Sequence, residues 1–294
     1  MFRGAITALV TPFKNGKIDT EALEKHIRWQ IQEGIDGLLP CGTTGETPAL
    51  EDSEKELVVK TAVKLAKESG KKLPVIAGAG TNSTSKTVKE VMEVKEWGAD
   101  AALVVTPYYN KPTQDGLYGH FSEVCEKTDM PVVIYNIPGR TGVNMTPATF
   151  EKVCRRYDKI VAVKEASGNL DQVSEIVSRC GWLSVLSGDD SLTLPILSVG
   201  GKGVISVVSN IAPKDTATLV RLFEERKIDE ARDMHHRLFK LIKALFTETN
   251  PGPIKTATGI LKWNTGEVRL PMSGLSEENL SKLKTALKEY GLVK

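Results

Sequence analysis

Short runs of β-branched and apolar residues recur along the chain at near-even intervals. They are AITALV (5–10), DGLLPC (36–41), LPVIAGAG (73–80), AALVVTP (101–107), PVVIYNIP (131–138), IVAVKEAS (160–167), LSVLSGDD (183–190) and GVISVVS (203–209). Each is bounded by turn residues and is too apolar to leave one face in water, which predicts eight strands covered on both sides. Between them lie segments such as TEALEKHIRWQIQEG, SEKELVVKTAVKLAKESG and SKTVKEVMEVKEWG. Their apolar residues fall on one helical face, with Ser or Thr at the start and Gly at the end, the pattern of amphipathic crossover helices. Strict alternation of strand and helix predicts a parallel sheet. Eight repeats of similar length favour closure into a (β/α)8 TIM barrel over an open doubly wound sheet. Beyond the eighth strand, residues 215–247 and 276–291 keep a helical pattern with no strand between them. The expected organisation is therefore a barrel carrying the active site over residues 1–225 and a C-terminal helical appendage, 226–294, packed on it without a freeing linker.

Composition narrows the class of function. The 294 residues are 40% hydrophobic and 26% charged, with 39 basic against 37 acidic side chains, so no field of one sign invites nucleic acid or anionic lipid. Cys41, Cys125, Cys154 and Cys180 lie far apart with no C-x-x-C spacing, which fits reduced thiols better than a disulfide frame or a zinc site. The apolar run in MFRGAITALVTPFK is too short for a signal-peptide core, and no stretch approaches a spanning helix. A soluble, cytoplasmic protein with no nucleic-acid or membrane partner is expected.

In a parallel barrel the chemistry sits where the strands end at their C-terminal side. Those ends read TPF (11–13), CGTTGE (41–46), GAGTN (78–82), TPYYN (106–110), YNIPGRTG (135–142), KEASGN (164–169), SGDD (187–190) and SVVSN (206–210). No His or carboxylate pair among them has metal-ligand spacing. His26, His120, His235 and His236 all fall in helical patterns elsewhere, as solvated or packed residues. Asp189 and Asp190 fit a helix N-cap better than an acid–base pair or a Mg²⁺ site. Lys164 is the anomaly, a cation at the end of an apolar strand. Period-two alternation turns Ile160, Ala162 and Lys164 to one side and Val161, Val163 and Glu165 to the other. A lysine at the inner top of a barrel would be poorly solvated, lowering its pKa and freeing the amine to attack a carbonyl. Taken alone, the segment fits an ion pair with Glu165, or an outward snorkelling lysine, slightly better. Other strand ends shift that balance: Tyr135 ends the adjacent strand and can shuttle protons. The Thr43–Thr44 turn can cradle a small carboxylate, and Arg140 can grip a second one.

GTTGE (42–46), TPYYNKP (106–112), YNIPGRTG (135–142), IVAVKEASGNL (160–170), LSGDD (186–190), GGKGVISV (200–207) and NPGPIK (250–255) stand in this order. Together they resemble the dihydrodipicolinate synthase family. The resemblance implies a class I aldolase-type lyase of lysine and diaminopimelate biosynthesis that condenses pyruvate with L-aspartate 4-semialdehyde, with no metal or other cofactor. By motif position, Lys164 would form the Schiff base with pyruvate and Tyr135 would pass protons. Thr43 would link Tyr135 to Tyr109, which reaches in from the neighbouring subunit. Thr44 would hold the pyruvate carboxylate, Arg140 the carboxylate of the semialdehyde, and the backbone at Gly188 and Ile205 would line the pocket. A homotetramer, a dimer of dimers, is implied. Related sugar-acid lyases share the Lys and Tyr but generally lack the Arg and the paired tyrosines, both present here. Lysine-inhibited members often carry histidines and a glutamate where this chain has Asp52, Lys55 and Lys86, with Asn82 and Tyr108 kept. The expectation is a degenerate effector site with weak or absent lysine feedback.

Overall fold

A computed structural model of the chain describes residues 2–293. Its eight long-range strands are β1 (Gly4–Ala8), β2 (Gly37–Leu39), β3 (Ile76–Gly78), β4 (Ala101–Val105), β5 (Val132–Asn136), β6 (Ile160–Glu165), β7 (Ser184–Ser187) and β8 (Gly203–Ser206). Every hydrogen-bonded pair is parallel, in the spatial order β2-β1-β8-β7-β6-β5-β4-β3. The two ends of that order meet. Leu38 pairs with Val75, the Leu38 N–H reaches the Pro74 carbonyl at 2.9 Å, and the Gly78 N–H reaches the Pro40 carbonyl at 3.0 Å, closing the barrel. Glycine is required at this seam, because a Cβ on Gly78 would lie 1.7 Å from the Cys41 carbonyl oxygen.

Alternating strand residues divide between two apolar layers. Ile6, Ala8, Leu39, Ile76, Leu103, Val133, Ala162, Leu186 and Ile205 fill the barrel interior. The outward residues pack under a ring of helices: α1 (Thr20–Gln32), α2 (Asp52–Glu68), α3 (Thr84–Glu96), α4 (Gln114–Lys127), α5 (Pro147–Arg156), α6 (Leu170–Arg179), α7 (Thr193–Ser198) and α8 (Pro213–Glu224). On β6 the alternation is interrupted once. The ladder to β5 pairs Val132 with Ile160 and Val133 with Ala162, skipping Val161. Ile160 thus lies in the outer layer rather than beside Ala162, a correction to strict period two. The bulge falls before Ala162, so the inward aim of Lys164 is unaffected.

The predicted strands start and end within three residues of the observed ones. Three features depart from the sequence reading. Phe13–Lys14 and Lys17–Ile18 form an antiparallel ribbon across Asn15-Gly16, both at positive φ, a hairpin signal that the sequence carries plainly. The helical run after β8 breaks at Glu225–Lys227, with Arg226 at φ 62°, into α8 and α9 (Ile228–Leu245). An additional helix, α10 (Gly252–Ile260), precedes α11 (Glu277–Tyr290). Its Gly-Pro start reads as a turn, yet proline is well tolerated in a first helical turn, where its missing N–H has no partner to lose. Residues of α9, α10 and α11 share one apolar core with Val207, Val208 and Ile211 beyond β8. Among the described residues no helix is long and apolar enough to cross a membrane.

Candidate active site

Lys164 projects into the barrel from the end of β6, 6% exposed. Its backbone pairs with Tyr135 of β5 on one side and Leu186 of β7 on the other. Its Nζ stands 4.2 Å from the Tyr135 ring centroid. Loss of water around the ammonium lowers its pKa from 10.5 to about 7; Asp190 opposes the shift and Arg140 adds to it. Glu165 does not pair with it. That carboxylate faces the outer layer, where it accepts from Asn136 Nδ2 at 3.0 and 3.2 Å, from the Ser167 N–H at 2.7 Å and from Gln172 Nε2 at 3.3 Å. The ion-pair reading of the segment therefore does not hold. Gly188 leaves the room that Lys164 occupies: a Cβ there would lie 2.6 Å from the Ala166 Cβ and 3.2 Å from the Lys164 Cε.

Around the amine, residues from separate strand ends converge. Burial pushes the Tyr135 hydroxyl up to about 12, opposed by the Arg140 charge and a side-chain hydrogen bond with Thr43. Thr43, Thr44 and Gly45 form one 3-10 turn after β2, and Thr44 is buried. Arg140 sits in a one-turn helix, Pro138–Thr141, after β5, and its Nη2 donates to the Asn250 carbonyl at 3.0 Å. Ile205 is buried on β8. Thr43, Tyr108, Tyr135 and Arg140 line a cavity of about 270 Å³ at this end of the barrel.

Not every expected residue joins them. Tyr109 adopts a positive φ of 72° and is 88% exposed, so its ring does not meet Tyr135 or Thr43 within this chain. The candidate effector residues lie at the neighbouring loops. The Asn82 carbonyl accepts from Asn110, and Lys55 stands 3.3 Å from both Asp52 and Glu90. Lys86 is exposed on α3.

Two residues escaped the sequence reading. Asp189 is indeed a cap, accepting from the Ser191 N–H at 3.0 Å, but Asp190 is buried and takes the Val207 and Val208 N–H groups, each at 2.9 Å. From the turn after β7 it acts electrostatically on Lys164 of the neighbouring β6. Asn250, between α9 and α10, donates from Nδ2 to the Thr44 hydroxyl at 3.1 Å. No local signal marks that contact, because it joins positions far apart in the chain. His26 and His120 are packed residues whose burial lowers their pKa to about 4. Among the described residues no cluster of three or more His, Cys, Asp or Glu side chains is placed to hold a metal ion.

Residues 1–290 match the dihydrodipicolinate synthetase family. The chain is 48% identical over 295 residues to the 4-hydroxy-tetrahydrodipicolinate synthase of Thermodesulfovibrio yellowstonii, covering 100% of both proteins. It superimposes on dihydrodipicolinate synthase from Aquifex aeolicus with a TM-score of 0.96 at 49% identity over 99% of each chain. The enzyme from Thermotoga maritima gives 0.97 at 44% identity over 100% of each.

Proposed function

The chain belongs to the dihydrodipicolinate synthetase family and is a class I aldolase-type lyase, and on that premise we propose that Lys164 joins pyruvate to L-aspartate 4-semialdehyde through a Schiff base. The free amine adds to C2 of pyruvate, and the carbinolamine hydroxyl takes a proton from Tyr135 and leaves as water. Loss of a C3 proton from the iminium gives an enamine. C3 then bonds to the aldehyde carbon of the semialdehyde, whose oxygen takes up a proton. The amino group of the semialdehyde displaces Lys164 from C2, closing the ring and freeing the enzyme. The steps use this chain's own groups and call on no metal.

The observation that carries this reading is a buried amine, held near pKa 7, beside the ring of Tyr135, whose hydroxyl is in turn bonded to Thr43. Thr44 holds the pyruvate carboxylate, Arg140 the carboxylate of the semialdehyde, and the backbone at Gly188 and Ile205 lines the pocket. Thr43 passes protons between Tyr135 and Tyr109 of an adjacent subunit, in a cytoplasmic homotetramer built as a dimer of dimers. The barrel, 1–225, carries the reacting groups, and the C-terminal helical region, 226–294, packs on it. Borohydride added with pyruvate should leave a reduced pyruvyl adduct on the peptide containing Lys164. A peptide map with no adduct there, under turnover conditions, counts against the mechanism.

A further inference from the structure

Thr44 and Arg140, which the proposed function assigns to two different carboxylates, stand on different loops, one after β2 and one after β5. Both are held by one residue that neither loop contains. Asn250 donates from Nδ2 to Thr44 Oγ1 at 3.1 Å, and its main-chain carbonyl accepts from Arg140 Nη2 at 3.0 Å. Asn250 is only 5% exposed, and its Oδ1 has no partner although buried. A buried amide oxygen left unpaired costs stability, so the side chain is held there against a penalty. The same segment grips the turn a second time: on α10, Lys255 forms a buried ion pair with Glu46, two residues past Thr44, and the other Glu46 oxygen accepts from the Arg269 N–H at 2.8 Å. Thr44 is thus fixed at its side chain and just beyond it by the C-terminal region.

A threonine hydroxyl has one proton. If the proton points toward Asn250, Thr44 cannot donate it to a ligand; because Asn250 supplies the proton of their shared bond, the Thr44 O–H is left free to donate elsewhere. We propose that Asn250 is a positioning residue for pyruvate, its amide aiming the Thr44 hydroxyl at the pyruvate carboxylate while its carbonyl separately holds the Arg140 guanidinium. This rests on the assignment of Thr44 to pyruvate under the proposed function. The two contacts come from different parts of one residue, so they separate experimentally. Removing the side chain disturbs Thr44, and the carbonyl that meets Arg140 remains.

The test is the pyruvate concentration that gives half-maximal borohydride trapping, measured on the assembled enzyme for wild type, Asn250→Ala, Asn250→Asp, Thr44→Val and the double variant Thr44→Val/Asn250→Ala. Asn250→Asp keeps the shape but cannot donate to Thr44, and it covers the case in which the alanine variant does not fold. Both Asn250 variants are expected to need about tenfold more pyruvate, the value of one hydrogen bond to a charged group. The KM for the semialdehyde should change less than threefold in Asn250→Ala, and the double variant should be no worse than Thr44→Val alone. Unchanged half-trapping in a folded Asn250 variant, equal rises in both substrate constants for Asn250→Ala, or additive effects in the double variant would each overturn the inference. A purely structural role would lower the melting temperature without moving the half-trapping concentration. Absence of trapping in the wild type would instead sink the Schiff-base reading itself.

Discussion

Lys164 carries an available amine near neutral pH because folding strips water from its ammonium faster than neighbouring charge restores stability to it. That availability has a thermodynamic consequence. In the unfolded chain the lysine titrates near 10.5 and in the folded chain near 7. Between those values the unfolded state binds more protons, so stability rises with pH across the window, and below about 7 the folded chain bears the full penalty of a buried cation. Lys164→Met, similar in length and uncharged, removes that penalty. Its thermal unfolding temperature is expected to exceed that of the wild type at about pH 6, with the gap narrowing as pH approaches 10.5. An unfolding temperature below the wild type's at about pH 6 would contradict this account of the burial. Period two located the inward face of β6 correctly from Ala162 onward. What it lacked was Asp190, whose carboxylate acts on the same amine from the 3-10 turn after β7.

Helices α2 and α3 carry a prediction of their own. Lys55 on α2 is flanked by Asp52 and Glu90, each at 3.3 Å, and Lys86 adds another positive charge on α3. An incoming lysine ammonium would meet cations and find Glu90 already engaged by Lys55 and by the Gly80 N–H at 2.8 Å. Initial rates are therefore expected to be insensitive to lysine up to several millimolar, whereas half-inhibition below a millimolar would refute it. The strands and crossover helices were legible because burial on both faces and amphipathic spacing are local properties of the sequence. The Asn15-Gly16 ribbon was equally legible but too short to stand out among the apolar runs. Helix α10 was not, since its Gly-Pro start imitates a turn and its helicity depends on the core it shares with α9 and α11.

The C-terminal region is structurally part of the site-bearing unit rather than a cover over it. Asn250 and Lys255 fix the turn that holds Thr44, through contacts more than two hundred positions apart in the chain. Such contacts leave no trace in local pattern, so this half of the site went unread even though NPGPIK resembles a family segment. Tyr109 poses the same problem between molecules. Its 88% exposure and strained backbone suit a side chain presented to another copy. Mixing Tyr109→Phe chains with Lys164→Ala chains should restore part of the activity, because one mixed site then holds both wild-type residues. No recovery in verified heterodimers would count against Tyr109 acting across the interface. The most direct measurement of the central claim, that burial makes Lys164 the nucleophile, is kcat/KM for pyruvate across pH, with the Lys164 adduct mapped at each point. The account expects a tenfold rise per pH unit below about 7, a plateau above it, and the adduct on Lys164 throughout. A rate that climbs without a break toward pH 10, or an adduct on any other lysine, would contradict it.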